Sequence, residues 1–164
     1  MVKTVPVSEE LTLDDYEAVG FLSASVQSLR AEARSLVPKL DGRKVWMVNS
    51  TARGGGVAEM LPRMISIMRE LGVETEWLVI GSDKPEFFTL TKRLHNLIHG
   101  SGDPRLTSED RAVYASVSQE NADALRSRVQ PSDLLVIHDP QPLGSGAKLR
   151  RALDVPAVFR CHIG

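Results

Sequence analysis

From Lys44 onward the chain alternates between two periodicities, and that alternation constrains its fold more than any single motif. Strand-sized apolar runs occupy residues 44–48, 76–80, 133–138 and 155–160. Between them, apolar residues recur at intervals of three and four, the spacing of one helix face. The first such set is Val57, Leu61, Met64, Ile65, Met68 and Leu71, closed by Gly72. Pro62 lies in its early turns and is expected to bend that helix rather than abolish it. Residues 85–99 read as a second helix, with Phe88, Thr91, His95 and Ile98 sharing a face and Gly100 as its stop. After a loop at 101–106, Thr107 or Ser108 caps a long helix to about Val129, with Val113, Val117, Leu125 and Val129 facing in. Residues 145–153 form the last helix. Strands and helices in alternation imply right-handed crossovers and a parallel sheet covered on both faces. The fold class is therefore α/β, a Rossmann-like doubly wound sheet.

Residues 1–42 differ from the rest and read as an N-terminal helical extension, an arm and helix packing on the domain formed by residues 43–164. Residues 2–7 are a short strand or an extended arm. Thr12 caps a short helix whose Asp14, Asp15 and Glu17 sit where the helix dipole favours acids, and Gly20 ends it. Val26, Leu29, Ala33, Leu36 and Leu40 then follow a helical period, with a break expected at Pro38 and a turn at Asp41-Gly42. The Val26, Leu29, Ala33 and Leu36 face is expected to pack on the sheet or on a second copy of the chain.

At 164 residues the chain is long enough to bury a core of its own. A net charge of −1 gives no basic field to attract nucleic acid. Cys161 is the only cysteine, so an internal disulfide and a thiolate metal cluster are both excluded. No apolar run is long enough to span a membrane, and the N-terminus lacks a secretory-signal pattern. The chain is accordingly expected to be cytoplasmic.

In a doubly wound sheet, ligands collect beyond the carboxyl ends of the strands. Those ends carry Asn49 to Gly56, Gly81 to Asp83, His138 to Pro142 and Arg160 to His162. The first is the most informative. Three consecutive glycines, Gly54, Gly55 and Gly56, let backbone come close to a ligand, and the helix start behind them favours an anion. Asn49, Ser50, Thr51 and Arg53 add donors. The spacing is neither a dinucleotide fingerprint nor a P-loop. The competing reading is a tight strand-to-helix connection, which one glycine would serve. In His138-Asp139-Pro140-Gln141-Pro142 the prolines are expected to fix a rigid turn and forbid immediate helix formation. That turn would mount Asp139 for sugar hydroxyls, unless Asp139 merely caps its own backbone. His162 reads as a ligand contact or a satisfied core histidine, and Cys161 as a small buried hydrophobe. His95 and His99, four apart, lack a third metal ligand and read as helix-surface or supporting residues.

Together these stretches resemble trehalose synthases of the glycosyltransferring type and the related retaining trehalose phosphorylases. The resemblance rests on residues 44–51, on 54–61, on Thr75 to Ile80, on Phe87-Phe88 with Thr91-Lys92 and His95-Asn96, on residues 138–142, and on Phe159 to Ile163. It runs from about Leu13 to the end and is limited to the N-terminal half of a GT-B fold. It implies an enzyme that moves glucose from a nucleoside diphosphate donor to glucose with retention, giving α,α-trehalose. Trehalose phosphorolysis is the alternative, and a non-catalytic binding or assembly module is the rival from another class. By position, the resemblance assigns Gly54, Gly55, Gly56 and Arg53 to the donor phosphate and sugar. Asp139 and Asn49 go to the acceptor, and His162 with Asp139 go to the catalytic centre. It implies no metal and no cofactor beyond the nucleotide sugar. The expected partners are a sugar or sugar phosphate and a C-terminal GT-B domain, or a chain supplying one. A homo-oligomer is also expected, and isolated activity is expected to be little or none. The family pattern has an acidic residue where this chain has Gly164.

Overall fold

The computed structural model describes residues 1–8 and 11–163; Gly164, the departure from the family pattern, lies outside them. Five strands form one sheet: β1 (Lys3–Val5), β2 (Val45–Asn49), β3 (Thr75–Val79), β4 (Leu134–His138) and β5 (Ala157–Arg160). Their order is β1-β3-β2-β4-β5. The pairs β2–β3, β2–β4 and β4–β5 are parallel, and only β1 runs antiparallel, against β3. The doubly wound α/β fold is therefore present, with one antiparallel edge strand contributed from within the first 42 residues.

Alternation along β2 explains the layering. Trp46 and Val48 point into one core with Leu78, Leu135, Ile137, Phe87, Val117, Leu125 and Leu149. Val45 and Met47 point into the other, with Trp77, Ala58, Leu61 and Ile65. Helix α3 (Gly56–Glu70) covers the second face, while α4 (Pro85–Ile98), α5 (Ser108–Arg126) and α6 (Pro140–Leu153) cover the first. Helix α3 runs through Pro62 without interruption. The α5–α6 contact is close because α6 has no side chain at Gly144, where a Cβ would meet Ser118 and Tyr114; on the sheet side, a Cβ on Gly146 would run into Ile137 of β4.

Helix α1 (Leu13–Glu17) opens with a capping box between Thr12 and Asp15. Helix α2 (Ser23–Leu36) passes into a 3₁₀ turn at Val37–Leu40, as the proline there requires. The expected apolar face of α2 is only partly used. Val26 is buried, but Leu36 is 54% exposed and Leu29 is also exposed. In α4 the buried side is Phe87, Leu90 and Thr91, whereas Phe88 and Ile98 are exposed. Two adjacent phenylalanines offer two overlapping apolar stripes, and packing selects the one that starts at Phe87.

The largest departure is at α6. It begins at Pro140, not at Ser145. The first four N–H groups of any helix lack intrahelical partners, so prolines at the first and third positions remove no hydrogen bond. Pro140 and Pro142 start this helix rather than delay it. No helix among the described residues is long and apolar enough to cross a membrane.

Candidate active site

Connections leave β2 toward β3 on one side of the sheet and reach β4 on the other. A crevice must open beyond the carboxyl ends of β2 and β4, where the winding reverses. A cavity of about 440 Å³ lies there, walled by Asn49, Gly54, Gly55, Gly56, Asp139, Gln141 and His162, with His95, His138 and Ile163 among its other neighbours. Residues remote in sequence thus meet because each follows a parallel strand. Gly81 does not join them. Its backbone N–H and C=O are held by the Asn121 side chain, at 2.9 Å each, on the far side of β2.

The two helix starts are built differently. Gly55 is the N-cap of α3, with φ 93° and ψ 153°, and no side chain caps it. Gly54 also has positive φ, at 74°. Those two glycines are required by backbone conformation. Gly56 is not: its φ is not positive, and no atom lies within 4 Å of where a Cβ would stand. Its openness leaves the α3 N-terminus bare toward the cavity. Arg53 is exposed and is not among the lining residues; its backbone N–H donates to Thr51 Oγ1 at 3.2 Å, closing a local turn.

Asn49 is buried, and its amide is already engaged. Trp77 Nε1 donates to its Oδ1 at 2.8 Å, and its Nδ2 donates to the Thr51 carbonyl at 2.8 Å. It therefore ties the glycine loop to the sheet and keeps one amide hydrogen for anything in the cavity.

Asp139 adopts φ 66° and ψ 171°, a region normally left to glycine. Its side chain does not cap α6. Instead Oδ1 accepts the His162 backbone N–H at 2.7 Å. His138, the last residue of β4, is 1% exposed. Its Nδ1 lies 2.9 Å from His162 Nε2. Burial, then the neighbouring His162 and Arg160, push His138 down to about 4, with Asp139 opposing them. Gln141 Oε1 is buried without a hydrogen-bond partner. Among the described residues no group of three or more His, Cys, Asp or Glu side chains is placed to hold a metal ion. Cys161 is exposed, not buried as expected, because it lies just beyond β5, on the sheet edge.

Residues 47–164 match the family model described as trehalose synthase, N-terminal domain. The chain belongs to the trehalose synthase family. It is 36% identical over 146 residues to the trehalose synthase of Rubrobacter xylanophilus, covering 84% of this chain and 33% of that protein. The trehalose synthase of Thermococcus litoralis is 36% identical over 154 residues, or 92% of this chain and 34% of its own length. A trehalose phosphorylase of Grifola frondosa is 33% identical over 128 residues, 73% of this chain and 17% of that protein. The chain thus spans about a third of the length of the synthases it matches.

Within this domain, the structure brings Asn49, Gly54, Gly55, Gly56, Asp139 and His162 to one cavity and leaves Arg53 outside its lining. Sequence reasoning passed over Gln141 and the His138–His162 pair. The first was detectable, since taking Pro140 as a first helical residue puts Gln141 in the first turn beside Asp139. The second depends on the β4–β5 register, which sets His138 opposite Arg160 and so brings His162 within reach.

Proposed function

We propose that the chain is the N-terminal, acceptor-side domain of a retaining glycosyltransferase that forms α,α-trehalose from a nucleoside diphosphate glucose and glucose. The observation that carries this reading is the convergence of an uncapped, glycine-lined helix start with Asp139 and His162 on one cavity. In this reading, the N–H groups at Gly56 and beyond face the departing diphosphate, where fixed dipoles act on developing charge at no reorganisation cost. Asp139 keeps its second carboxylate oxygen for an acceptor hydroxyl, and His162 meets the donor sugar. Arg53 is assigned to the outer approach of the phosphate. Positioning on one face of the sugar, with the leaving phosphate taking the acceptor proton, replaces the carboxylate pair a glycosidase needs.

The remaining donor contacts are assigned to a C-terminal GT-B domain or a chain supplying it, so little transfer is expected from these 164 residues alone. No metal or further cofactor enters this scheme, no nucleic acid or membrane partner is proposed, and a homo-oligomer in the cytoplasm is the expected form. The phosphorylase relatives, which match 73% of the chain, support phosphorolysis of trehalose as a second reading with the same cavity. NMR titration of the isotope-labelled chain with inorganic phosphate and then with glucose tests the site. Shifts are expected at the backbone amides of residues 54–58 for phosphate, and for glucose at Asp139 and, through its hydrogen bond to that carboxylate, at the His162 amide. Shifts confined to other surfaces would overturn the assignment, and rapid trehalose formation by the isolated chain would overturn its dependence on a second domain.

A further inference from the structure

His138 and His162 lie edge to edge. Their ring centroids are 5.2 Å apart, their planes differ by 18°, and the facing nitrogens are 2.9 Å apart. That is the geometry of one in-line N–H···N hydrogen bond, and one of the two nitrogens must carry the proton while the other is bare. The other side of His138 decides which. His138 Nε2 sits 3.4 Å from Met47 Sδ. A thioether sulfur has no hydrogen to give, so it can only accept. The hydrogen of neutral His138 therefore belongs on Nε2, and its Nδ1 is left as the acceptor. His162 must then donate from Nε2, and in the neutral ring this leaves the lone pair on its Nδ1. Burial lowers His138 to about 4 and so keeps it neutral, with one bare nitrogen; the Met47 contact decides that this nitrogen is Nδ1.

We infer that Met47 and His138 are positioning residues that fix the tautomer and ring orientation of His162, so that His162 offers Nδ1 as a hydrogen-bond acceptor to a ligand hydroxyl. The main chain of His162 is fixed at the same time by Asp139 Oδ1. Both ends of the residue are thus held by groups at the end of β4, and the methionine acts on the site from inside the sheet. The clause about the hydroxyl rests on the sugar-binding reading above; the tautomer does not.

The test uses the chain labelled with ¹⁵N-histidine, without ligand. The expected result is a nitrogen–nitrogen coupling across the hydrogen bond, with the proton attached to His162 Nε2. A proton attached to His138 Nδ1 would overturn the inference. Met47→Leu conserves volume and keeps the fold while removing the acceptor. It should replace the single proton position with a mixture, and an unchanged position would remove Met47 from the relay. His138→Asn leaves an oxygen acceptor near the Nδ1 site and should keep His162 protonated on Nε2, whereas His138→Phe should lose that fixed state. Adding glucose 1-phosphate, which presents the donor-side sugar with its phosphate, separates the two layers. A shift of His162 Nδ1 supports the hydroxyl contact, and no shift overturns the sugar reading while the relay, read without ligand, still stands.

Discussion

The junctions β2–α3 and β4–α6 frame the same cavity with nearly the same backbone conformation and opposite chemistry. At the first, a six-residue turn ends in Gly55 at φ 93°; at the second, Asp139 alone separates strand from helix at φ 66°. Glycine takes this conformation freely, and an aspartate does not. Where the cavity wall needs open backbone, the chain uses glycines at which an added Cβ would meet nothing within 4 Å. Where it needs a carboxylate at a fixed point, it keeps a strained residue and ties it to His162. Strain held in place by surrounding structure marks the β4–α6 junction as the specified wall and the β2–α3 turn as the permissive one.

The pH dependence of the β4–α6 side should be the largest effect. His138 is lowered from 6.5 to about 4 by burial, His162 and Arg160, against Asp139. The unfolded chain then binds the proton more readily, so stability is full above pH 6.5 and falls as pH drops toward 4, by about 3 kcal/mol. Urea unfolding at pH 7 and pH 4.5 should show this loss in the native chain, and His138→Phe should remove that component; equal pH dependence in both would reject it. Gly55→Val should come next, costing about 2 kcal/mol because φ 93° is closed to a β-branched residue. Retained melting temperature in that variant would erase the contrast between the junctions.

Asp139→Gly is the sharper comparison. It relieves about 1–3 kcal/mol of strain and loses a charge-assisted hydrogen bond of similar size. Net stability should stay within about 1 kcal/mol, while glucose-induced shifts at His162 disappear. A large destabilisation would make Asp139 a structural residue. The smallest effect is expected at Gly56→Ala, which gains a few tenths of a kcal/mol of helix stability yet should weaken phosphate binding by crowding the α3 start. Unchanged phosphate affinity would deny that this glycine faces a ligand.

The sheet was legible in the sequence because hydrophobic period is a local signal, and four strands fell within two residues of their expected bounds. What stayed hidden depended on partners. Residues 2–7 read as either a strand or an extended arm, and pairing of the three-residue β1 with β3, more than seventy positions away, decides for the strand. The start of α6 departs from expectation because proline breaks a helix only beyond its first turn, whose N–H groups have no intrahelical bonds to lose. For the site, strand ends located Asn49, the glycines, Asp139 and His162 without any side-chain detail. Asn49's engagement with Trp77, the exposure of Cys161 and the Met47–His138–His162 chain all turn on which face of the sheet a residue occupies and on its register, and neither is written in spacing alone.

Gly144 and Gly146 carry a consequence for how such a domain diversifies. They seat α6 against α5 and β4 with no side chain between, and close packing of this kind transmits strain rather than yielding to it, so α6 is expected to hold Asp139 where it stands. The acidic wall is therefore set when the chain folds. Accommodation of a longer or bulkier ligand falls to the opposite wall, whose glycines have empty space around them, so changes in substrate range should accumulate in the turn before α3 and spare the first turn of α6.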